Sequence, residues 1–220
     1  MLMSLRKPRR ILLRATKNEG GATAIEFAII APLLLATLIG GLEVTQAVMA
    51  ARKVATATRT MADLMAQVRG ATGVTGGAID EVYAAGKMIL APYPDGSLKV
   101  TISRVDVTSV NNALTARTVW SVSRNGGAVR PCAALNKISN SASPAPDSFP
   151  AGMYYAARFI VVDVVYTFSA PLTTNFAPAS MGFSGWTNTG NGMEIRNTAY
   201  MQTRIDGNPA MSGMGACPNV

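Results

Sequence analysis

The chain contains no histidine among its 220 residues. That absence excludes Ser-His-Asp and Cys-His nucleophilic sites, histidine-ligated metals and a histidine pH switch. Two cysteines are too few for a four-thiolate zinc or iron–sulfur centre. Charged residues make up only 15% and aromatic residues 6%, against 49% hydrophobic. Such a chain is too apolar to stay disordered and too poor in charge for an ordinary enzyme surface. The carboxylates Asp63, Asp80, Glu81, Asp95, Asp106, Asp147, Asp163 and Glu194 are scattered and form no evident catalytic pair. No GxxxxGK[ST] or dinucleotide fingerprint occurs, and Ala71–Gly77 reads as a linker. The sequence therefore predicts no enzyme, no cofactor and no metal.

The net charge of +8 is concentrated at one end. Arg6, Lys7, Arg9, Arg10, Arg14 and Lys17 stand against a single acid, Glu19, before residue 22. A nucleic-acid-binding arm would lead into a basic recognition helix or an aromatic-studded sheet. This one leads into the aliphatic run Ala28–Leu42, so nucleic acid is not the expected partner. A cationic stretch before an apolar run is a topology signal that leaves the positive end in the cytoplasm.

The uncharged stretch between Glu26 and Glu43 is short for a bilayer, which takes about 20 residues. Counting Ala22 to Ala51 as the membrane segment supplies the length. A cleaved secretory signal ending near Ala47–Ala51 is the competing reading. Against it, the helical pattern runs on without a break. Val44, Ala47/Val48, Ala51, Val54/Ala55, Thr58, Met61, Leu64/Met65 and Val68 recur at three- and four-residue steps, with no Pro or Gly between Leu42 and Arg69. The pattern predicts one helix over 22–70, greasy first and amphipathic after. Pro32 should kink it and Gly40-Gly41 should loosen it.

At the start of this helix, Thr23-x-x-Glu26 fits a capping box behind a glycine-rich linker. A cap does not explain a carboxylate one turn inside an apolar span, where an ionisable group is costly and calls for a partner.

The stretch Gly21-Ala-Thr-Ala-Ile-Glu-Phe-Ala-Ile-Ile-Ala-Pro-Leu-Leu-Leu35 resembles the class III prepilin-peptidase site of Flp pilins and TadE-like minor pilins (pseudopilins) of the Tad type IVc pilus. Weaker resemblances lie in Val161–Leu172 and Glu194–Arg204. The resemblance implies a basic leader over 1–21 and cleavage between Gly21 and Ala22 by a membrane prepilin peptidase. A cut after Gly20 is the alternative. It implies recognition of Glu26 and Phe27, with Glu26 of one subunit pairing with the new Ala22 amine of a neighbour. The first mature residue would be alanine, where many pilins carry an N-methylated phenylalanine. The implied partners are the peptidase, other pilin or pseudopilin subunits, the assembly platform and the inner membrane. The implied location is a single-pass inner-membrane protein, cytoplasmic at its N-terminus, with a periplasmic domain that can enter a pilus. A membrane-anchored periplasmic adaptor or binding module is the main rival, and an anchored hydrolase the second.

Residues 71–220 carry a short helix at Asp80–Leu90 ended by Pro92. Four strands follow: Leu98–Val107, Thr115–Arg124, Phe159–Phe168 and Met193–Ile205. Leu98, Val100 and Ile102, then Val105 and Val107 after a slip, are expected to face inward, and Asp163 to face solvent. Asn125–Pro150 reads as a long irregular loop, and Phe183–Gly192 as a Gly/Asn-rich contact loop. The expected fold is α+β, a pilin-like long helix on a four-stranded antiparallel sheet. Trp120, Trp186 and Tyr154-Tyr155 read as core and rim rather than a sugar-binding surface. On the extracytoplasmic side Cys132 and Cys217 suit a disulfide, with free thiols or an intermolecular bridge as alternatives. Closing that loop would stabilise by about 4–5 kcal/mol and hold down the tail Gly207–Val220.

Overall fold

The computed structural model describes residues 19–68, 74–110, 112–138, 146–155, 157–169, 186–188, 192–204 and 217. The basic residues up to Lys17, Pro171-Leu172, most of the Gly/Asn-rich stretch and all of the tail except Cys217 lie outside them. The chain forms two units, residues 1–45 and 46–220. One helix, α1 (Glu19–Ala66), contributes to both.

In the first unit α1 is helical through Pro32, Gly40 and Gly41. Proline has no N–H to give to the carbonyl of Ala28, yet the helical trace continues across it. Thr37 and Thr45 turn their hydroxyls back onto the carbonyls of Leu34 (2.9 Å) and Gly41 (2.8 Å), which satisfies them within the helix. The helix is already formed at Glu19, so Thr23 lies inside it. The expected start at Ala22 and the Thr23–Glu26 capping box are corrected accordingly.

In the second unit α1 buries Ala47, Ala50, Val54, Ala57, Thr58, Met61, Ala62 and Met65. The periodicity held, but the stripe is turned from the one expected: Val44, Val48 and Leu64 are exposed, and Ala50 and Ala57 are fully buried. Alanines let a helix backbone approach its neighbours closely, and this outweighs burying the larger valines. Helix α1 ends with i→i−3 bonds from Gln67 and Val68, and the N–H of Arg204 takes the carbonyl of Ala66 (3.3 Å).

Helix α2 (Gly76–Leu90) starts earlier than Asp80 because Thr75 Oγ1 caps it, accepting from the Ala78 N–H at 3.2 Å. It crosses α1 where Gly86 meets Met61; a Cβ on Gly86 would stand 2.5 Å from Met61 Sδ. Lys53 on α1 donates to the carbonyls of Ile89 and Ala91, neutralising the carbonyl end of α2. The chain then turns through a cis Ala91–Pro92 bond.

The sheet has the order β2-β1-β5-β7-β6, all neighbours antiparallel. Its strands are β1 (Leu98–Val110), β2 (Ala113–Arg124), β5 (Ala157–Phe168), β6 (Trp186–Asn188) and β7 (Met193–Gln202). Four of these are the strands expected, and β6 adds a three-residue rim. The fold is α+β, as the sequence reads. One face carries Leu98, Val100, Ile102, Trp120, Ile160, Val162, Val164 and Tyr166 into the core shared with both helices. Trp120 is fully buried there.

The second face is where expectation fails. Strand β1 does not slip: its register with β5 is continuous from Leu98↔Tyr166 to Val107↔Ala157. The irregularity lies in β2, where Val119 has no partner on β1. Val105 and Val107 therefore point away from the helices, into a second cluster with Ala116, Leu135, Phe149, Phe159 and Val161. The supposedly irregular stretch through Pro150 builds that layer. Its β3 (Asn136–Ile138) and β4 (Ser148–Pro150) pair in parallel, and Phe149 stacks edge-on to Tyr154 and Tyr200 at 5.8 and 5.5 Å. Both sides of the sheet are thus covered.

Candidate processing and assembly segment

Gly21, Ala22, Glu26 and Phe27 occupy successive turns near the start of α1. Ala22 and Glu26 are four apart, hence on the same side of the helix. Their neighbours are apolar and bare: Phe27 is 68% exposed, Ile29 72% and Leu33 66%. A Cβ built on Gly21, Gly40 or Gly41 meets nothing within 4 Å. This helix is long and apolar enough to cross a membrane, with none of its most apolar window buried. Glu26 is exposed amid that surface, whereas Glu43, the second acid of the span, is buried.

Exposed leucine and isoleucine on so long a surface cost roughly 25 cal/mol per Å² in water. Lipid or other apolar helices would cover such a surface favourably. A carboxylate there needs a cation, and no hydrogen bond or ion pair of Glu26 occurs among the described residues.

Residues 21–63 match the family model TadE, described as TadE-like protein. The matched TadE-like segment lies wholly within α1 and includes Gly21, Ala22, Glu26, Phe27 and Pro32. No curated protein and no solved structure matches the chain. The weaker resemblances in β5 and β7 fall outside the matched residues.

Beyond the TadE-like segment, Cys132 and Cys217 are joined by a disulfide across a separation of 85 residues. The Cys217 N–H donates to the carbonyl of Val119 at 2.9 Å.

Asp163 does leave the Val162/Val164 face, but its side chain is only 19% exposed. Arg130, itself fully buried, binds it from the segment after β2. Sequence reasoning missed Arg130, since nothing local marks an arginine in a loop as a core residue. The available signal was the odd acid between valines in β5, which demands a partner if both faces are covered. Among the described residues no group of three or more Cys, Asp or Glu could hold a metal.

Proposed function

We propose that the chain is the precursor of a minor pilin, or pseudopilin, of the Tad type IVc pilus. It is held in the inner membrane by α1, with the leader in the cytoplasm and residues 71–220 outside. A prepilin peptidase cuts between Gly21 and Ala22. The cut creates an α-ammonium at Ala22, and Glu26 of one subunit pairs with the Ala22 amine of a neighbour during assembly or priming of the filament. The protein acts as substrate and structural part rather than catalyst, and its partners are the peptidase, other pilin subunits and the assembly platform.

The observation that carries this reading is Glu26, without a partner among the described residues on the exposed apolar face of the TadE-like segment, five residues after Gly21. The glycine before the cut suits close approach of a protease to the backbone. The basic leader supports the cytoplasmic end. A disulfide in the domain supports an oxidising compartment for the rest.

Intact-mass and N-terminal analysis of the protein from its native host tests the proposal, with Gly21→Ala and peptidase-deficient controls. A wild-type chain beginning at Ala22, and full-length precursor in the controls, is the expected result. A wild-type chain that retains residues 1–21 overturns it and favours the membrane-anchored adaptor. A start near residue 50 would mark α1 as a secretory signal.

A further inference from the structure

Helix α2 runs back along α1 toward the start of the second unit. Its Gly86 meets Met61, the carbonyls of Ile89 and Ala91 take the Lys53 ammonium, and the Tyr93 hydroxyl donates to the carbonyl of Gln46 at 3.0 Å. As positions rise from 86 to 93 on one segment, their partners fall from 61 to 46 on the other. The turn after α2 therefore lies beside Gln46, the first residue of that unit. The apolar half of α1 leads directly into Gln46, and Val48 and Met49 just beyond it are still exposed.

The run Met88-Ile-Leu-Ala-Pro-Tyr-Pro94 has no charged residue. Met88 is 79% exposed, and Ala91, Pro92 and Pro94 are exposed as well. Apolar surface in water is unfavourable, and backbone that leaves water must have its polar groups answered. Several are answered in advance here. Lys53 donates to two of the carbonyls, the Tyr93 N–H donates to that of Leu90 at 3.1 Å, and neither proline has an N–H. The flanking charges, Lys87 and Asp95, pair with each other at 2.7 Å. Arg52, next to Lys53, is exposed and makes no ion pair among the described residues.

We propose that Met88–Pro94, the end of α2 and the turn after it, is a second membrane contact. It rests in the headgroup region of the leaflet from which α1 emerges, with Tyr93 at the polar boundary and Arg52 within reach of lipid phosphates. Continuity with the apolar helix favours lipid over a protein partner, since a bilayer that ends near Ala51 brings its headgroups to the level of Gln46 and hence to this turn. The inference rests on α1 sitting in a membrane, and not on cleavage or pilus assembly.

The test uses the full-length chain in vesicles of phosphatidylcholine and phosphatidylglycerol, with its disulfide intact by peptide mapping. One introduced cysteine, from Met88→Cys, Glu81→Cys or Leu35→Cys, carries a spin label. Glu81 lies two turns back on the same face of α2, roughly 10 Å away. Collision with oxygen, which favours lipid, is compared with collision with a water-soluble nickel chelate. The labels at 35 and 88 should favour oxygen, with 88 about 5–10 Å into the headgroup–acyl boundary, and the label at 81 should favour nickel. A label at 88 as open to nickel as that at 81, while 35 favours oxygen, overturns the proposal. A label at 88 shielded from both reagents marks a protein contact and overturns it too. A label at 35 that favours nickel refutes the membrane reading of α1 itself, and this inference with it. Should Met88→Cys not fold, Met88→Trp supplies the readout through quenching by brominated lipid, against wild type as the background.

Discussion

Arg130 and Asp163 meet in a two-pronged contact, Nε and Nη2 each donating to a separate carboxylate oxygen at 2.9 Å. Nη1 of the same arginine donates to the carbonyls of Pro146 (3.1 Å) and Ser148 (3.0 Å), and Thr198 on β7 donates to Asp163 at 2.8 Å. One buried side chain thus ties the segment after β2, the turn before β4 and the central strand β5 together. Taking a guanidinium out of water is costly, and here every prong is answered.

Removing either partner should leave the other charge stranded. Arg130→Met and Asp163→Asn are each expected to destabilise the domain by about 3 kcal/mol. The pair Arg130→Met/Asp163→Asn should cost less than the two single changes added. Denaturant unfolding of the four proteins closes the cycle, and strict additivity would show that the pair is not coupled.

Tyr200 supplies a pH test. Burial beside the Phe149 cluster pushes its hydroxyl up to about 12, with Arg130 opposing. A phenol whose folded value is raised stabilises the fold fully below its ordinary value near 10 and loses that contribution as pH climbs toward 12. Burial raises Tyr154 and Tyr166 as well, so absorbance titration should show several late-ionising tyrosines, of which Tyr200→Phe removes one. That variant also deletes a buried hydroxyl without a hydrogen-bond partner among the described residues, so stability at neutral pH should be unchanged or higher by up to about 1 kcal/mol.

Gly127 lies where the chain turns from β2 over the second face of the sheet. A Cβ there would stand 2.7 Å from the backbone oxygen of Val100 and 2.5 Å from Thr101 Oγ1. Backbone in a sheet interior cannot give way, so Gly127→Ala should destabilise by about 2–3 kcal/mol, within the range for overpacking. A melting temperature equal to wild type would mean that the turn can move aside.

Glu26 separates assembly from folding. Its side chain has no part in the core of residues 46–220, so Glu26→Ala should leave unfolding of that domain unchanged within about 0.5 kcal/mol. Under the proposed function the same substitution should remove the protein from assembled filaments, read by immunoblotting sheared pili against membranes. Normal incorporation of Glu26→Ala would refute the pairing with the Ala22 amine.

The sequence by itself determined the helix that can cross a membrane, the glycine and acid near its start, and the four long strands. Each is written locally: a cationic stretch before an aliphatic run, a three-and-four step, alternation of valine with polar residues. Tertiary structure decided how each buried surface is covered. Alternation along β1 records that Val105 and Val107 are buried, but a sheet has two faces, and only the distant Leu135 and Phe149 decide which side closes over them. The period of α1 allows several stripes, and the close crossing at Gly86 and the alanines selected one. Asp163 is drawn under partial cover because Arg130 returns to it from 33 residues away. These choices depend on contacts between segments far apart in the chain, and no local pattern encodes which segment will arrive.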